Sequence, residues 1–280
     1  MGQKDITEKL LEDYEDVFAD IVNVLLYNGE PVVDKDNLRS CNVKSQYKAD
    51  DGKLHEQERD IAKLEVKNGI TFALYGLENQ EKADKYMPLR IYGYEGASYR
   101  SQYGKNPYPI VTLVLYYGET RWGYASNLKS LLHIPEGLEK YVNDIKLNIF
   151  EIAFLTDEQL EMFQSDFKII ADYFVQKRKN EKYKPSTKEI KHVDAFLKMM
   201  SVFTQDNRYA EAIEAMKLKG GVVTMCTVLD ERETKGRAEG RAEEQHRLII
   251  VNYKEGESVT NIAKFMRITE DEVKKVLGLD

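Results

Sequence analysis

The pattern of apolar and polar residues divides the chain into a mixed first part and a helical second part. Residues 7 to 27 repeat apolar side chains at the 3.6-residue period of a helix, which we expect to begin after Thr7 and to end at Asn28-Gly29. Residues 30 to 58 are rich in charged and turn residues, so we expect loops with one short strand there. From about residue 136 onward, helical patterns dominate.

Between these parts the pattern changes to that of strands. Residues 59 to 80 predict two strands joined by Asn68-Gly69, the dipeptide most typical of a tight hairpin turn. Met87-Pro88 favours a helix start, because the first turn of a helix does not need the N–H that proline lacks. Residues 108 to 118, "YPIVTLVLYYG", are almost continuously apolar, which is typical of a strand buried on both faces.

The second part of the chain carries several helix-start signals. Thr156 is a predicted N-cap, Ser186 with Glu189 forms a predicted capping box, and Thr269 with Glu272 forms another. The tandem repeat Gly-Arg-Ala-Glu precedes the last predicted helices, where it indicates either a close helix–helix contact or a charged linker. We therefore predict three regions: an α/β domain over 1–135, a helical region over 136–230, and a charged linker helix with a small helical hairpin over 231–280.

The composition and net charge of the chain argue against several classes of protein. No apolar run approaches the roughly 20 residues of a membrane helix, and no signal-peptide pattern is present, so we expect a cytoplasmic protein without a membrane partner. The two cysteines and four histidines do not lie at metal-ligand spacings, which argues against a zinc site. The net charge of −7 argues against an extended basic surface for binding nucleic acid.

The candidate chemistry lies at the open end of the predicted hairpin. If the turn is centred on the Asn-Gly dipeptide, Asp60 lies opposite Leu77, and Glu78 and Gln80 share a face of the second strand. Oxygen donors of this kind suit Mg²⁺ or Mn²⁺, which can activate water for phosphodiester hydrolysis. The alternative is that these residues form an ordinary solvated strand end.

The order of elements around these acids resembles a known family. An acidic helix, a hairpin with Asp on one arm and Glu-X-Gln on the other, a helix and a buried strand are similar to the PD-(D/E)XK nuclease superfamily. More narrowly, they resemble the recombination-promoting nuclease (Rpn) and putative transposase family. The stretches that carry the resemblance are "YEDVFADIVNVLLYNGEPV" (14–32), "ERDIAKL" (58–64), "ALYGLENQ" (73–80), "MPLRIYGYEGASYR" (87–100) and "YPIVTLVLYYG" (108–118).

The resemblance implies a restriction-endonuclease-like mixed sheet flanked by helices, with an all-α C-terminal region. It also implies Mg²⁺- or Mn²⁺-dependent cleavage of DNA, in recombination or in a mobile-element or defence context. Asp60 and Glu78 would bind the metal, and Gln80 would orient the attacking water. Asp20 of the first helix, in preference to the more exposed Asp16, would be the auxiliary acid with Asn23 as its hydrogen-bond partner; the alternative is that Asp20 is a capping or salt-bridged helix residue. Gln80 stands where the superfamily has lysine, although glutamine is usual in this subfamily.

Nearby cations complete the predicted site. Lys82 is favoured over Lys63 as the substitute for the missing lysine, because Lys63 has the wrong strand parity relative to Asp60. Lys82, Arg90 and Arg100 are predicted phosphate contacts, with Arg90 pairing to the acid cluster as the alternative. The partner would be DNA, and the C-terminal helical hairpin is interpreted as a site either of homo-oligomerisation or of a weak DNA contact. A second hypothesis is a nuclease-fold protein without turnover, which binds DNA or another protein.

Overall fold

A five-stranded mixed sheet forms the centre of the structure. The computed structural model describes residues 11–41, 44–48, 54–180 and 183–279. The strands are β1 (Leu38–Ser40), β2 (Lys44–Lys48), β3 (Leu54–Glu58), β4 (Ile61–Lys67), β5 (Ile70–Gln80), β6 (Ile110–Tyr116) and β7 (Asn148–Glu151). The helices are α1 (Glu15–Tyr27), α2 (Met87–Arg100), α3 (Asp157–Met162), α4 (Phe167–Arg178), α5 (Val193–Thr204), α6 (Arg208–Lys219), α7 (Met225–Lys254), α8 (Val259–Met266) and α9 (Glu270–Leu277).

The central sheet has the order β1-β4-β5-β6-β7, and β2 pairs with β3 in a separate two-stranded sheet. Strands β1, β4 and β5 are antiparallel to one another, whereas β5, β6 and β7 run parallel. Strand β6 therefore has a parallel neighbour on each side, as its continuous apolar run predicts. The predicted mixed α/β sheet with flanking helices and a helical C-terminal part is confirmed.

The hairpin turn forms as predicted, but a bulge changes the register of its open end. Asn68 and Gly69 have φ angles of 52° and 77°, the left-handed conformations that this turn requires. The pairing then shifts by one residue between Glu65 and Val66. As a result Ile61, not Asp60, lies opposite Leu77, so the predicted pairing of Asp60 with Leu77 is wrong by one residue.

The sequence pattern did not predict three of the short strands. Residues 30–58 contain β1, β2 and β3, where we expected one strand, so two of these were not predicted. The third is β7, which lies in the region predicted as helical. Strands β1 and β7 have three and four residues, too few to show a period of two. The first helix ends where predicted, at Asn28 with φ of 53°, whereas the predicted cap Thr7 lies outside the described residues.

The helical region packs on the same sheet. The face of the sheet that carries Tyr75 and Leu77 is covered by α1, α4 and α5, through side chains such as Phe18, Phe167 and Phe196. Residues from both sides of position 135, the predicted end of the first region, belong to this core. The predicted boundaries of the three regions stay predictions.

Two of the predicted helix starts in this region are confirmed and one is wrong. Thr156 caps α3 and Thr269 caps α9, each in a capping box. The predicted box at Ser186 is wrong, because α5 begins only at Val193 and Glu189 instead bridges to Thr224 in an isolated β-bridge. Tertiary pairing of this short extended segment overrides its local capping signal.

A long polar helix links the core to the C-terminal hairpin. Helix α7 has 30 residues; Met225 and Val228 near its start belong to the main core, whereas Ile249 near its end packs with Ile262 and Val273 of α8 and α9. Among the described residues, no helix is both long and apolar enough to span a membrane.

Candidate functional site

The acids predicted from the sequence meet at the open end of the hairpin. Glu78 lies near the end of β5, and Asp60 directly precedes β4. Since Ile61 pairs with Leu77, the register brings Asp60 beside Glu78. The Asn79 backbone N–H donates to Asp60 Oδ2 at 2.6 Å and fixes this carboxylate against β5. The bulge that shifts the register therefore brings the two acids closer together than the predicted pairing did.

Glu78 is held in a buried polar network on the α2 face of the sheet. Its side chain is only 1% exposed. Gln80 Nε2 donates to Glu78 Oε1 at 3.1 Å, which confirms that the two residues share a face. Arg90 Nη2 of α2 lies 2.5 Å from the same oxygen, and it also donates to Tyr94 Oη at 3.3 Å. Glu78 is thus already oriented by an amide and a guanidinium.

The electrostatics of this network favour a charged arginine and a neutral tyrosine. Burial is the largest influence on the pKa of Arg90 and lowers it, but Glu78, Tyr94 and Asp84 together outweigh this effect and raise the pKa overall. Burial and Glu78 together raise the pKa of Tyr94. Tyr94 is 4% exposed and packs in the core between α2 and the sheet. Arg90 pairs with the acid cluster, which was its predicted alternative.

A third acid at this end of the sheet was missed by the sequence analysis. Glu12 is 0% exposed. Its Oε2 accepts from Asn79 Nδ2 at 2.6 Å and its Oε1 accepts from Tyr117 Oη at 2.7 Å. Burial raises the Glu12 pKa to about 7, against these two hydrogen bonds, and the charge of Asp60 adds to the increase. Glu12 gave no signal because it stands in an acidic run and off the apolar stripe of the first helix.

Asp20, predicted as the auxiliary acid, performs a structural task instead. Its carboxylate accepts hydrogen bonds from the backbone N–H groups of Gln164 and Ser165, at 2.7–3.0 Å, and so caps the turn before α4. Its predicted partner Asn23 bonds both backbone groups of Val33 instead. Asp20 was predicted because its position on a largely buried stripe demands compensation, and backbone amides supply that compensation.

The predicted cations have different surroundings. Lys63 is fully buried and pairs with Asp13 at 3.0 Å and Glu15 at 3.2 Å, on the α1 side of the sheet. Lys82 and Arg100 are exposed and make no ion pair within the described part of the chain. Arg90 is therefore the cation that lies against the acids.

A second arginine lies on the same face as Glu78. Arg59 is 3% exposed, donates to Ser98 Oγ at 3.1 Å and lies 5.7 Å from the centre of the Tyr94 ring. Burial lowers its pKa, whereas nearby groups including Glu95 and Glu78 oppose the change. Two guanidinium groups thus offset the buried carboxylates on this face.

The donor set suits a hard divalent cation. Among the described residues, no group of three or more His, Cys, Asp or Glu side chains is arranged as a metal shell. Mg²⁺, however, keeps several waters and needs only one or two protein carboxylates, which Asp60 and Glu78 can supply. The buried Oδ1 of Asn79 has no hydrogen-bond partner in the described structure, but this side chain contacts Glu12 and lies on the face of β5 opposite Glu78.

Comparisons with known proteins connect this site to one family. Residues 36–204 match the sequence model of a family described as "Putative transposase, YhgA-like". The matched span contains Asp60, Glu78 and Gln80, and Glu12 lies before it. The comparisons with curated proteins and with solved structures found no significant match.

Proposed function

Because the chain belongs to the family of YhgA-like putative transposases, we propose that it is a DNA endonuclease that depends on Mg²⁺ or Mn²⁺. The observation that carries the proposal is the gathering of Asp60 and Glu78 at one end of the hairpin, with Glu12 alongside. Carboxylates so placed, next to the half-buried guanidinium of Arg90, fit the hydrolysis of a phosphodiester.

In this proposal Asp60 and Glu78 hold the cation, which would lower the pKa of a bound water and neutralise charge on the phosphate. The amide of Gln80 orients Glu78, since it donates to Oε1. An amide cannot supply the positive charge of the superfamily lysine, and Arg90 supplies positive charge at this position instead. Breakage of DNA by such a site would serve recombination or a mobile element.

Glu12 has the properties of a proton acceptor in this reaction. A general base works best when its pKa lies near the working pH, and the Glu12 pKa is about 7. The side chain is fully buried, and Tyr117 and Asn79 hold both of its oxygens, so in this proposal Glu12 accepts a proton near Asp60 without contacting the attacking water itself. The cost of ionising this buried group would fall once a cation is held by the neighbouring acids.

The test is nicking of supercoiled plasmid in Mg²⁺ or Mn²⁺ by the wild type, Asp60→Asn and Glu78→Gln. The matched control is Glu161→Gln, which removes an exposed carboxylate paired to Lys168. We expect nicking by the wild type and the control only, and none in the presence of a chelator. Equal nicking by all four proteins would refute the catalytic assignment, with circular dichroism confirming that each is folded.

The second candidate function is a nuclease-fold protein that binds DNA without cutting it. The ion pair between Arg90 and Glu78, together with Gln80 in place of lysine, favours this candidate. It predicts DNA binding that persists in Glu78→Gln, with no nicking by any form in either metal. Metal-dependent nicking that both acid variants abolish would exclude it.

A further inference from the structure

The outer face of α2 carries a row of exposed aromatic and aliphatic side chains. Leu89, Tyr92 and Tyr99 are 45%, 52% and 48% exposed, and Tyr103, just after the helix, is 94% exposed. Leu89, Tyr92 and Tyr99 lie within one helical stripe, opposite the buried Met87, Ile91 and Tyr94, and Tyr103 stands in the turn that follows the helix. We name Leu89, Tyr92, Tyr99 and Tyr103 the α2 stripe.

The stripe offers flat, accessible ring surfaces. Gly96 lies between Tyr92 and Tyr99 on the same face, and a Cβ placed there would meet nothing within 4 Å. The hydroxyl of Tyr99 accepts a hydrogen bond from the Ile110 backbone N–H at 3.2 Å, which limits the movement of this ring. Tyr92 and Tyr99 are seven residues apart, about 10.5 Å along the helix axis. This distance corresponds to roughly three base steps of a stacked strand.

The charge around the stripe is opposite in sign to that of the whole chain. Residues 81–106 contain five basic and three acidic residues, a local charge of +2 in a chain of net charge −7. The basic residues are Lys82, Lys85, Arg90, Arg100 and Lys105, and of these only Arg90 forms an ion pair with a described residue. Cations without an ion pair in the same segment as exposed rings are the combination by which proteins bind single-stranded nucleic acid.

The stripe is continuous with the candidate active site. Arg90 lies on α2 between the stripe and the sheet, with its side chain 36% exposed and its guanidinium on Glu78. A strand that lies along the stripe would therefore reach the acids through Arg90. The bases of a duplex already stack on one another, so their faces are not available to these rings.

From these observations we infer that the α2 stripe binds unpaired bases, and that the DNA taken by the active site is single-stranded or locally unpaired next to the cleaved bond. This inference rests on the proposed function for the cleavage step. The binding step stands independently, because it needs only the stripe and its cations.

Binding can be measured by fluorescence anisotropy with a chelator present, so that no cleavage occurs. The probes are a short single-stranded oligonucleotide, a duplex of the same sequence, and an abasic strand of the same length. The variant is Tyr92→Ala with Tyr103→Ala, and the control is Tyr141→Ala, a 71% exposed tyrosine that lies outside α2. A further reporter is Tyr92→Trp, because the native Trp122 is buried.

We expect the wild type to bind the single strand more tightly than the duplex or the abasic strand. The double variant should lose affinity for the single strand on the order of tenfold or more, and the control should not. The single strand, but not the abasic strand, should quench the fluorescence of Tyr92→Trp. Equal affinity for all three probes, or an unchanged affinity of the double variant, would overturn the inference.

Two further outcomes separate the inference from its alternatives. If the double variant changes only the oligomeric state, measured by sedimentation, the stripe is a contact between copies of the chain and the inference is wrong. If the single strand binds as expected but no form of the protein nicks DNA, the endonuclease proposal fails and the stripe assignment holds.

Discussion

Replacing Glu12 by glutamine removes the buried acid that the sequence analysis missed. Glutamine keeps the size of the side chain and can accept from Tyr117 as Glu12 does. The protonated form of Glu12 can be held by Asn79. Rotation of the Asn79 amide places Oδ1, which is buried without a hydrogen-bond partner among the described residues, where it accepts the carboxyl proton. In Glu12→Gln the same Asn79 oxygen can accept a hydrogen bond from the side-chain amide of the glutamine.

The size and sign of the effect follow from the pKa of Glu12. Folding raises this pKa from 4.5 to about 7, so the folded protein binds a proton that the unfolded chain releases between these values. The free energy of unfolding of the wild type should therefore fall as the pH rises through this window. A rise of about 2.5 pKa units corresponds to about 3 kcal/mol. Glu12→Gln cannot ionise and should avoid this loss.

Urea unfolding followed by circular dichroism at several pH values measures the difference directly. Near pH 5 the two proteins should have similar stability, and near pH 8 the variant should be more stable by about 3 kcal/mol. Adding Mg²⁺ near pH 8 should stabilise the wild type more than the variant, because a cation next to Asp60 lowers the cost of the Glu12 charge. A difference that stays constant with pH, or that favours the wild type as the pH rises, would refute the reasoning.

Three further substitutions test other parts of the account. Arg90→Met should destabilise the fold by about 2 kcal/mol, since it leaves buried Glu78 without its ion pair, and Mg²⁺ should restore part of the loss in urea unfolding. Asp20→Ala should cost about 1–3 kcal/mol in the same assay, because it leaves two backbone amides uncapped, but should leave nicking per folded molecule unchanged. Gln80→Lys should increase the rate of nicking, because it restores the positive charge of the superfamily.

Each of these substitutions has a matched control and a contrary outcome. Arg121→Met breaks an exposed ion pair with Glu151 and should cost less than Arg90→Met; equal costs would contradict the burial argument. Loss of nicking in folded Asp20→Ala would return this residue to the active site. A Gln80→Met control separates the added charge of lysine from the removal of the amide, and equal rates for Lys and Met would contradict a role of the charge.

The sequence predicts the hairpin and its chemistry because local signals determine both. The Asn68-Gly69 turn sets the position of the strands, and alternation places Glu78 and Gln80 on one face. The register at the open end does not follow from the turn, because the bulge beside Glu65 adds a residue to one strand. Such a bulge has no signature in the residues that form it, so Asp60 was placed one position too far along.

The auxiliary acid shows the limit of sequence reasoning more clearly. Glu12 and Asp20 both belong to the acidic N-terminal part, and the apolar stripe favoured Asp20. Which of the two reaches the hairpin depends on contacts with Asn79 and with residues 164–165, which are distant in sequence. A pattern with a period of 3.6 identifies the buried face of a helix, but not the partner of each polar residue on it.

The central claim is that Asp60 and Glu78 form one metal-binding site, and Mn²⁺ binding measured by calorimetry tests it most directly. We predict one site in the wild type and in the Glu161→Gln control, with affinity reduced at least tenfold in Asp60→Asn and in Glu78→Gln. Equal Mn²⁺ affinity in all four folded proteins would contradict the claim, and the acids at the end of the hairpin would then be a purely structural cluster.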